Sequence, residues 1–74
     1  MSETSLDLTG LMCPLPALKT RKALTRLSAG DRMNVISSDP LSAIDIPNLL
    51  RETGDVLLEQ TERDGRISFL IEKR

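Results

Sequence analysis

The chain has 74 residues, ten of them basic and eleven acidic, and this length predicts one small domain over residues 1–74 with a thin core and no deep active site. The net charge of -1 gives no general attraction to nucleic acid or to an anionic membrane, and no apolar run is long enough to span one. A single cysteine without any histidine excludes an internal disulfide, a cysteine-rich metal cage and a Cys-His dyad, so we expect neither a metal nor a cofactor.

The first predicted strand is followed by a helix. Residues 5–9 alternate in hydrophobicity, which places Leu6 and Leu8 on one face of a strand that ends at Gly10. The segment PLPALKTRKALTRLS then predicts a helix over residues 14–28, because both prolines fall in the first turn, where their missing N–H groups have no helical partner. One side of this helix gathers the residues suited to packing on a sheet, namely Pro16, Ala17, Thr20, Ala23, Leu24 and Leu27.

The next strand and helix are predicted over residues 32–37 and 42–53. Because a helix connects the first two strands, they should lie parallel with a right-handed crossover. Two starts are open for the second helix, since Pro47 lacks the N–H that a helix from Ser42 would need: either it begins near Asp45 as its cap, or its first turn is irregular. The expected inward positions are Met33, Val35 and Ile36 in the strand and Ala43, Ile46, Leu50 and Thr53 in the helix.

The remaining chain predicts a β-hairpin. Residues 55–63 and 66–72 are strand-like, and the Asp64-Gly65 pair between them is a strong turn signal. The resulting order indicates an α+β fold, a two-layer α/β sandwich of βαβαββ order with two helices on one face of a four-stranded mixed sheet. The first ten residues lack the basic start and apolar core of a targeting signal, so we expect a cytoplasmic protein, and nothing requires more than a monomer.

Cys13 lies at the junction of the first strand and the first helix. Unpaired N–H groups and the helix dipole favour an anion there, so we expect a thiolate or persulfide to be stabilised. Pro14 and Pro16 stiffen the chain that carries the sulfur. A lone cysteine can also be a small buried hydrophobe, and the residues alone leave both interpretations open. The position in a loop after Gly10 favours an exposed, reactive thiol.

The segment Ser38-Asp39-Pro40 is expected to approach Cys13, because successive parallel strand-helix units begin their helices at the same edge of the sheet. Asp39 has two interpretations. Its carboxylate can cap the second helix, or it can orient a donor or accept a proton. Its charge would raise the pKa of the thiol whereas the helix would lower it, so the net shift is left open.

Several motifs occur together at family-like spacing from Leu6 to the C-terminus: Asp7, Gly10, the Cys13-Pro14-x-Pro16 core, Ala23-Leu24, Gly30-Asp31, Asp39-Pro40, Asp45-Ile46-Pro47 and Gly54. In this combination the chain resembles the TusA family, also called SirA-like, of small sulfur carriers. The resemblance implies a βαβαββ fold in which Cys13 accepts sulfane sulfur from a cysteine desulfurase or rhodanese and relays it to an acceptor protein. It leaves the destination open among tRNA thiolation, molybdenum-cofactor assembly and sulfur oxidation.

Two positions depart from the family pattern. Many members have a basic residue before the glycine, where this chain has Thr9, and a histidine after the second helix, where it has Asp55. These differences leave the choice of partner open.

The alternative function is a non-catalytic interaction or redox-regulatory domain with a structural or redox-sensitive Cys13. Direct nucleic-acid binding is disfavoured, because the chain has one aromatic residue and no net positive charge.

The outer face of the first helix carries a basic strip that borders Cys13. Lys19, Lys22 and Arg26 follow one another at i, i+3 and i+7, with Leu15 in line just after the cysteine. Such a face is either solvated or a docking surface. We expect a docking surface for the donor and acceptor proteins, because local charge raises encounter rates without demanding high affinity.

Overall fold

The computed structural model describes residues 3–74, so the first two residues of the predicted domain lie outside the described part. The elements are β1 (Glu3–Leu8), α1 (Leu15–Leu24), β2 (Arg32–Ser37), α2 (Ser42–Thr53), β3 (Val56–Arg63) and β4 (Arg66–Glu72). They confirm the predicted two-layer α+β fold with a four-stranded mixed sheet. Within residues 3–74, neither helix is long and apolar enough to cross a membrane.

The strand order in the sheet is β1-β2-β4-β3. β1 and β2 are parallel and end side by side, with Leu8 opposite Ser37, whereas β4 pairs antiparallel with both β2 and β3. β4 occupies a central position because every second side chain, Ile67, Phe69 and Ile71, is buried under the helices. β3 is polar and lies at the edge of the sheet, where charged side chains discourage pairing with another chain.

The core lies between the two helices and one face of the sheet. In α2 the buried apolar residues are Ile46, Leu49 and Leu50, at the i, i+3 and i+4 spacing of one helix face. The prediction that Thr53 lies on the inner face is wrong, because Thr53 is exposed. Leu49 is buried and was not among the predicted inward positions. The buried core cluster consists of Leu8, Leu24, Met33, Val35, Ile46, Leu50, Ile67, Phe69 and Ile71.

α1 is shorter than the predicted helix over residues 14–28. Pro14 is its N-cap, so only Pro16 lies in the first turn. After Leu24 the α-helical hydrogen bonding ends. The Arg26 N–H donates to the carbonyl of Ala23, three residues back, at 3.1 Å, whereas an α-helix would bond it to the carbonyl four residues back. Arg26 therefore lies beyond the helix, and the predicted basic strip has only two of its three cations on α1.

The start of α2 has the irregular first turn that was one of the two predicted alternatives. The N–H groups of residues 42–44 donate to carbonyls three residues back at 3.0–3.1 Å, and the Asp45 N–H is the first to reach four residues back, to Leu41 O at 2.9 Å. The other alternative, Asp45 as helix cap, is wrong, since the helix starts at Ser42 and includes Pro47. Gly54 ends the helix in the left-handed conformation with φ 82°.

Candidate functional site

The candidate site lies at the edge of the sheet where β1 and β2 end side by side. The loops that follow them are tied together by two hydrogen bonds. The Gly10 N–H donates to Ser38 Oγ at 2.8 Å, and the Cys13 N–H donates to Asp39 Oδ2 at 2.5 Å. The expected approach of residues 38–40 to Cys13 is confirmed by these contacts, and it follows from the parallel pairing of the two strands.

Gly10 lets the chain turn away from β1 toward Cys13. Its φ of +85° is a conformation that L side chains rarely adopt, whereas glycine does so without steric cost. Asp7, next to the last residue of β1, stabilises the turn after the strand, since its Oδ1 accepts both the N–H of Thr9 at 3.0 Å and the hydroxyl of Thr9 at 2.8 Å. Thr9 is thus part of the turn that directs the cysteine loop.

Cys13 is a free, exposed thiol directly before the N-cap of α1. Its peptide bond to Pro14 is cis. Pro16, two residues into the helix, is buried, so α1 is anchored on the core immediately after the cysteine. The buried interpretation of Cys13 is therefore wrong, because the side chain faces solvent at the sheet edge.

Asp39 joins the cysteine loop to α2. While its Oδ2 accepts the Cys13 N–H, its Oδ1 accepts the Leu41 N–H at 3.0 Å, one residue before the helix. Asp39 is almost completely buried, and the carbonyl of the exposed Pro40 accepts the Ala43 N–H at 3.1 Å. The carboxylate thus binds the backbone just before the helix and also holds the backbone of Cys13. The predicted cap of α2 by Asp39 is wrong, because the N-cap is Leu41 and it makes no side-chain cap hydrogen bond.

The sulfur itself contacts Asp45. The Cys13 thiol donates to Asp45 Oδ2 at 3.0 Å. This hydrogen bond, followed by partial desolvation and by the negative charges of Asp45 and Asp39, raises the pKa of the Cys13 thiol above its ordinary value. The direction of the shift, which the sequence left open, is therefore upward. This direction is opposite to the stabilised thiolate that was expected from the helix start.

The prediction of site residues did not include Asp45. In the sequence, this residue is only a possible cap for α2 and a part of the Asp45-Ile46-Pro47 motif. The available signal was the shared sheet edge. Both helices begin at this edge, so a carboxylate in the first turn of α2 lies at the same edge as the thiol. The side of α2 on which the Asp45 side chain lies depends on the residue where the helix starts, and the sequence left two alternatives for that residue.

A groove with a volume of about 390 Å³ runs from Cys13 between the two helices. Arg21 of α1 and Glu52 of α2 form an ion pair of 2.9 Å across it. Both side chains are more than half exposed, so this pair adds little to stability. The lining residues are Cys13, Pro14, Ala17, Leu18, Arg21, Asp45, Asn48, Leu49 and Glu52.

The surface around Cys13 is apolar next to the sulfur and basic further along α1. Lys19 and Lys22 are exposed on the helix, and Arg26 is exposed beyond it. Five large apolar side chains are also exposed at the two helix starts: Met12, Leu15, Leu18, Leu41 and Ile44. Exposed apolar side chains grouped in this way mark surfaces that other molecules cover. Of the predicted docking residues, Leu15 belongs to this apolar group.

Among the described residues, no three Asp, Glu or Cys side chains are grouped so that they could hold a metal ion. The site therefore consists of one thiol, two carboxylates that contact the same residue, and an accessible apolar surround.

Comparison with known proteins identifies the family. The family model described as sulfurtransferase TusA matches residues 4–73. The sulfur carrier protein TusA of Allochromatium vinosum is 41% identical over 71 residues, covering 96% of this chain and 93% of that protein. A sulfur carrier protein TusA of Pseudomonas putida is 38% identical over 69 residues, covering 93% of this chain and 86% of that protein. A crystal structure of a SirA-like protein from Desulfitobacterium hafniense superposes with a TM-score of 0.82 at 28% identity, covering 93% of this chain and 95% of the other. The chain therefore belongs to the TusA family, as its motifs predicted.

Proposed function

We propose that this TusA-family sulfur carrier holds sulfane sulfur as a persulfide on Cys13 and relays it from a donor protein to an acceptor protein. The observation that carries the proposal is the exposed thiol at the sheet edge, whose backbone is fixed by the Asp39 carboxylate. It is the only thiol in the chain. A carrier needs an accessible sulfur in a set direction, and it needs no histidine base when the donor supplies sulfur that is already activated.

The transfer is an exchange between two sulfur atoms. Cys13 Sγ attacks the outer, sulfane sulfur of the donor's persulfide, and a new S–S bond forms as the donor's own S–S bond breaks. The donor's inner sulfur leaves with the bonding electron pair and takes up the proton that Cys13 releases. The donor thus returns to a thiol, Cys13 becomes a persulfide, and the reaction involves no net oxidation. Delivery repeats the same exchange with an acceptor thiol.

Residues beside Cys13 would direct the sulfur toward its partner. Gly10 provides the turn into the loop, and Asp39 fixes the loop's backbone. Pro14 and Pro16 limit the conformations open to the chain on the other side of the sulfur. Pro40 contributes a carbonyl to the irregular first turn of α2. These roles reduce the entropy lost when a partner binds.

The donor and acceptor would dock on the apolar side chains around Cys13, with the basic strip of Lys19, Lys22 and Arg26 attracting acidic partners. Both partners must bring a sulfur atom within bonding distance of Cys13, so the surface they cover includes its immediate surround. A cysteine desulfurase or a rhodanese suits the donor role, because each forms a cysteine persulfide. Charge complementarity would raise the encounter rate, and a small apolar contact would let each partner leave.

Loading of Cys13 tests the proposal. The protein is incubated with a cysteine desulfurase and free cysteine, then alkylated and weighed intact by mass spectrometry. We expect the wild type to gain one sulfur atom and Cys13→Ala to gain none. A rhodanese with thiosulfate replaces the donor in a second arm. If neither donor loads a thiol that a small alkylating reagent still modifies, the interaction or redox-regulatory function replaces the carrier function.

A further inference from the structure

We propose that Asp45 holds the empty Cys13 as a protonated thiol and that loading with sulfur breaks their hydrogen bond, so that Asp45 favours onward delivery of sulfur over its storage. The inference rests on the proposed carrier function and adds a residue that acts directly on the reacting sulfur.

Backbone hydrogen bonds position both partners of the contact between Cys13 and Asp45. The thiol donates to Asp45 Oδ2 at 3.0 Å, and the N–H of the same cysteine is bound by Asp39, which lies just before the same helix. Asp45 lies within α2, and its N–H is bound to Leu41 O at 2.9 Å. Ile46, next in the chain, is completely buried. The carboxylate and the sulfur are therefore both positioned by the start of α2.

Within residues 3–74, the charged side chains that contact Cys13 are two carboxylates. Asp39 comes from the loop before α2, and Asp45 comes from α2 itself. The cysteine loop and the first turn of α1 contain no charged side chain between Thr9 and Leu18. Further along the groove, Arg21 of α1 is paired with Glu52 of α2 at 2.9 Å. A negative charge on the sulfur is consequently disfavoured.

Loading removes the hydrogen bond for a chemical reason. An ionised carboxylate only accepts hydrogen bonds, and the empty thiol has an S–H to donate. In a persulfide the hydrogen belongs to the outer sulfur, about 2 Å from Sγ, so Sγ has none to offer Asp45. A persulfide is also more acidic than a thiol, and its anion would face the two carboxylates. The arrangement therefore stabilises the empty carrier relative to the loaded one.

Two consequences can be measured separately. The empty thiol should react slowly with bystander electrophiles at neutral pH, since the thiolate is the nucleophile. The loaded fraction at equilibrium should be lower than it would be without the Asp45 charge. Loss of that charge should increase both quantities.

The test uses Asp45→Asn, which keeps an oxygen acceptor without the charge, and Asp45→Ala, which removes both. Asp64→Asn is the matched control, because it removes the same charge from the exposed hairpin turn, and asparagine tolerates the φ of 52° found there. The rate of alkylation by iodoacetamide is measured against pH for each empty protein. Each protein is also equilibrated with glutathione persulfide, and the loaded fraction is read by intact mass.

We expect both Asp45 variants to react several-fold faster at neutral pH, with the midpoint of the profile moved to lower pH, and to show a higher loaded fraction. Asp64→Asn should match the wild type. Profiles of Asp45→Asn and wild type that superimpose would overturn the inference, as would an unchanged loaded fraction. If Asp45→Ala fails to fold, the near-isosteric Asp45→Asn variant alone tests whether the Asp45 charge holds the thiol. A wild type that never loads refutes the carrier function instead, and the pH profile still reports whether Asp45 holds the thiol.

Discussion

Replacing Asp39 with alanine would remove the carboxylate that ties the cysteine loop to the start of α2. Two N–H groups, those of Cys13 and Leu41, would lose their acceptor. A hydrogen bond to a charged group contributes about 1.5–3 kcal/mol to stability. Since both bonds are only partly buried, water recovers part of that contribution, and we expect Asp39→Ala to lower the free energy of unfolding by about 2–4 kcal/mol.

This loss is large for so small a protein. At about 0.05–0.15 kcal/mol per residue, a chain of 74 residues has a free energy of unfolding of roughly 4–11 kcal/mol. Asp39→Asn keeps one carbonyl oxygen as an acceptor and should lose about half as much as Asp39→Ala. The ordering wild type, Asn, Ala is therefore part of the prediction.

Urea unfolding followed by far-ultraviolet circular dichroism measures the three stabilities, with Glu59→Ala on the exposed edge strand as the control. Amide hydrogen exchange at Cys13 provides a local readout, and it should be faster in Asp39→Asn than in the wild type. An Asp39→Ala protein whose free energy of unfolding lies within about 0.5 kcal/mol of the wild type would show that the carboxylate does not hold the loop.

Two further predictions concern docking and the buried hydroxyl pair. Charge reversal to Glu at Lys19, Lys22 or Arg26 should slow sulfur loading in that order of effect, because Lys22 lies about 4.5 Å further along α1 from Cys13 than Lys19 and Arg26 lies beyond the end of the helix. Transfer rates at low ionic strength that are equal in all three variants and the wild type would assign the basic strip to solvation alone. Ser42→Ala removes one of the two hydrogen-bond partners of Ser37 Oγ, the buried Ser42 hydroxyl at 2.6 Å, and leaves the Asp39 N–H at 3.2 Å. The change should lower the free energy of unfolding in urea by about 1–2 kcal/mol, and an unchanged midpoint would contradict this.

The element order was predictable from local signals, whereas the strand order needed information about burial. Asp64-Gly65 fixed the hairpin, and the helix between β1 and β2 fixed their parallel pairing. These signals did not predict which hairpin strand lies next to β2. The physical reason for the observed order is visible in the chain: β4 alternates large apolar side chains, and β3 is polar after Leu58. A central strand needs the first pattern and an edge strand tolerates the second.

The end of α1 was not predictable from helical composition. The segment after Leu24 has residues of ordinary helix propensity, and the prediction therefore ran to residue 28. In the structure the Thr25 hydroxyl donates to Lys22 O at 2.6 Å, and the backbone changes to bonds three residues back. Such side-chain competition for helix carbonyls is local and weak. Gly30 was the nearest strong stop signal, and it marks the turn into β2 instead.

The start of α2 controls the site more than the start of α1 does. In the sequence, α1 is the helix expected to act on the thiol, because Cys13 precedes it and a helix start favours an anion. Asp39 and Asp45, which bind the backbone and the sulfur of Cys13, flank Ser42, whose buried hydroxyl is bound to Ser37 at the end of β2. The position of α2 on the sheet therefore sets where both carboxylates lie. Because the two carboxylates raise the pKa of the thiol, the reactivity of an exposed cysteine depends on how a helix from the next strand-helix unit packs.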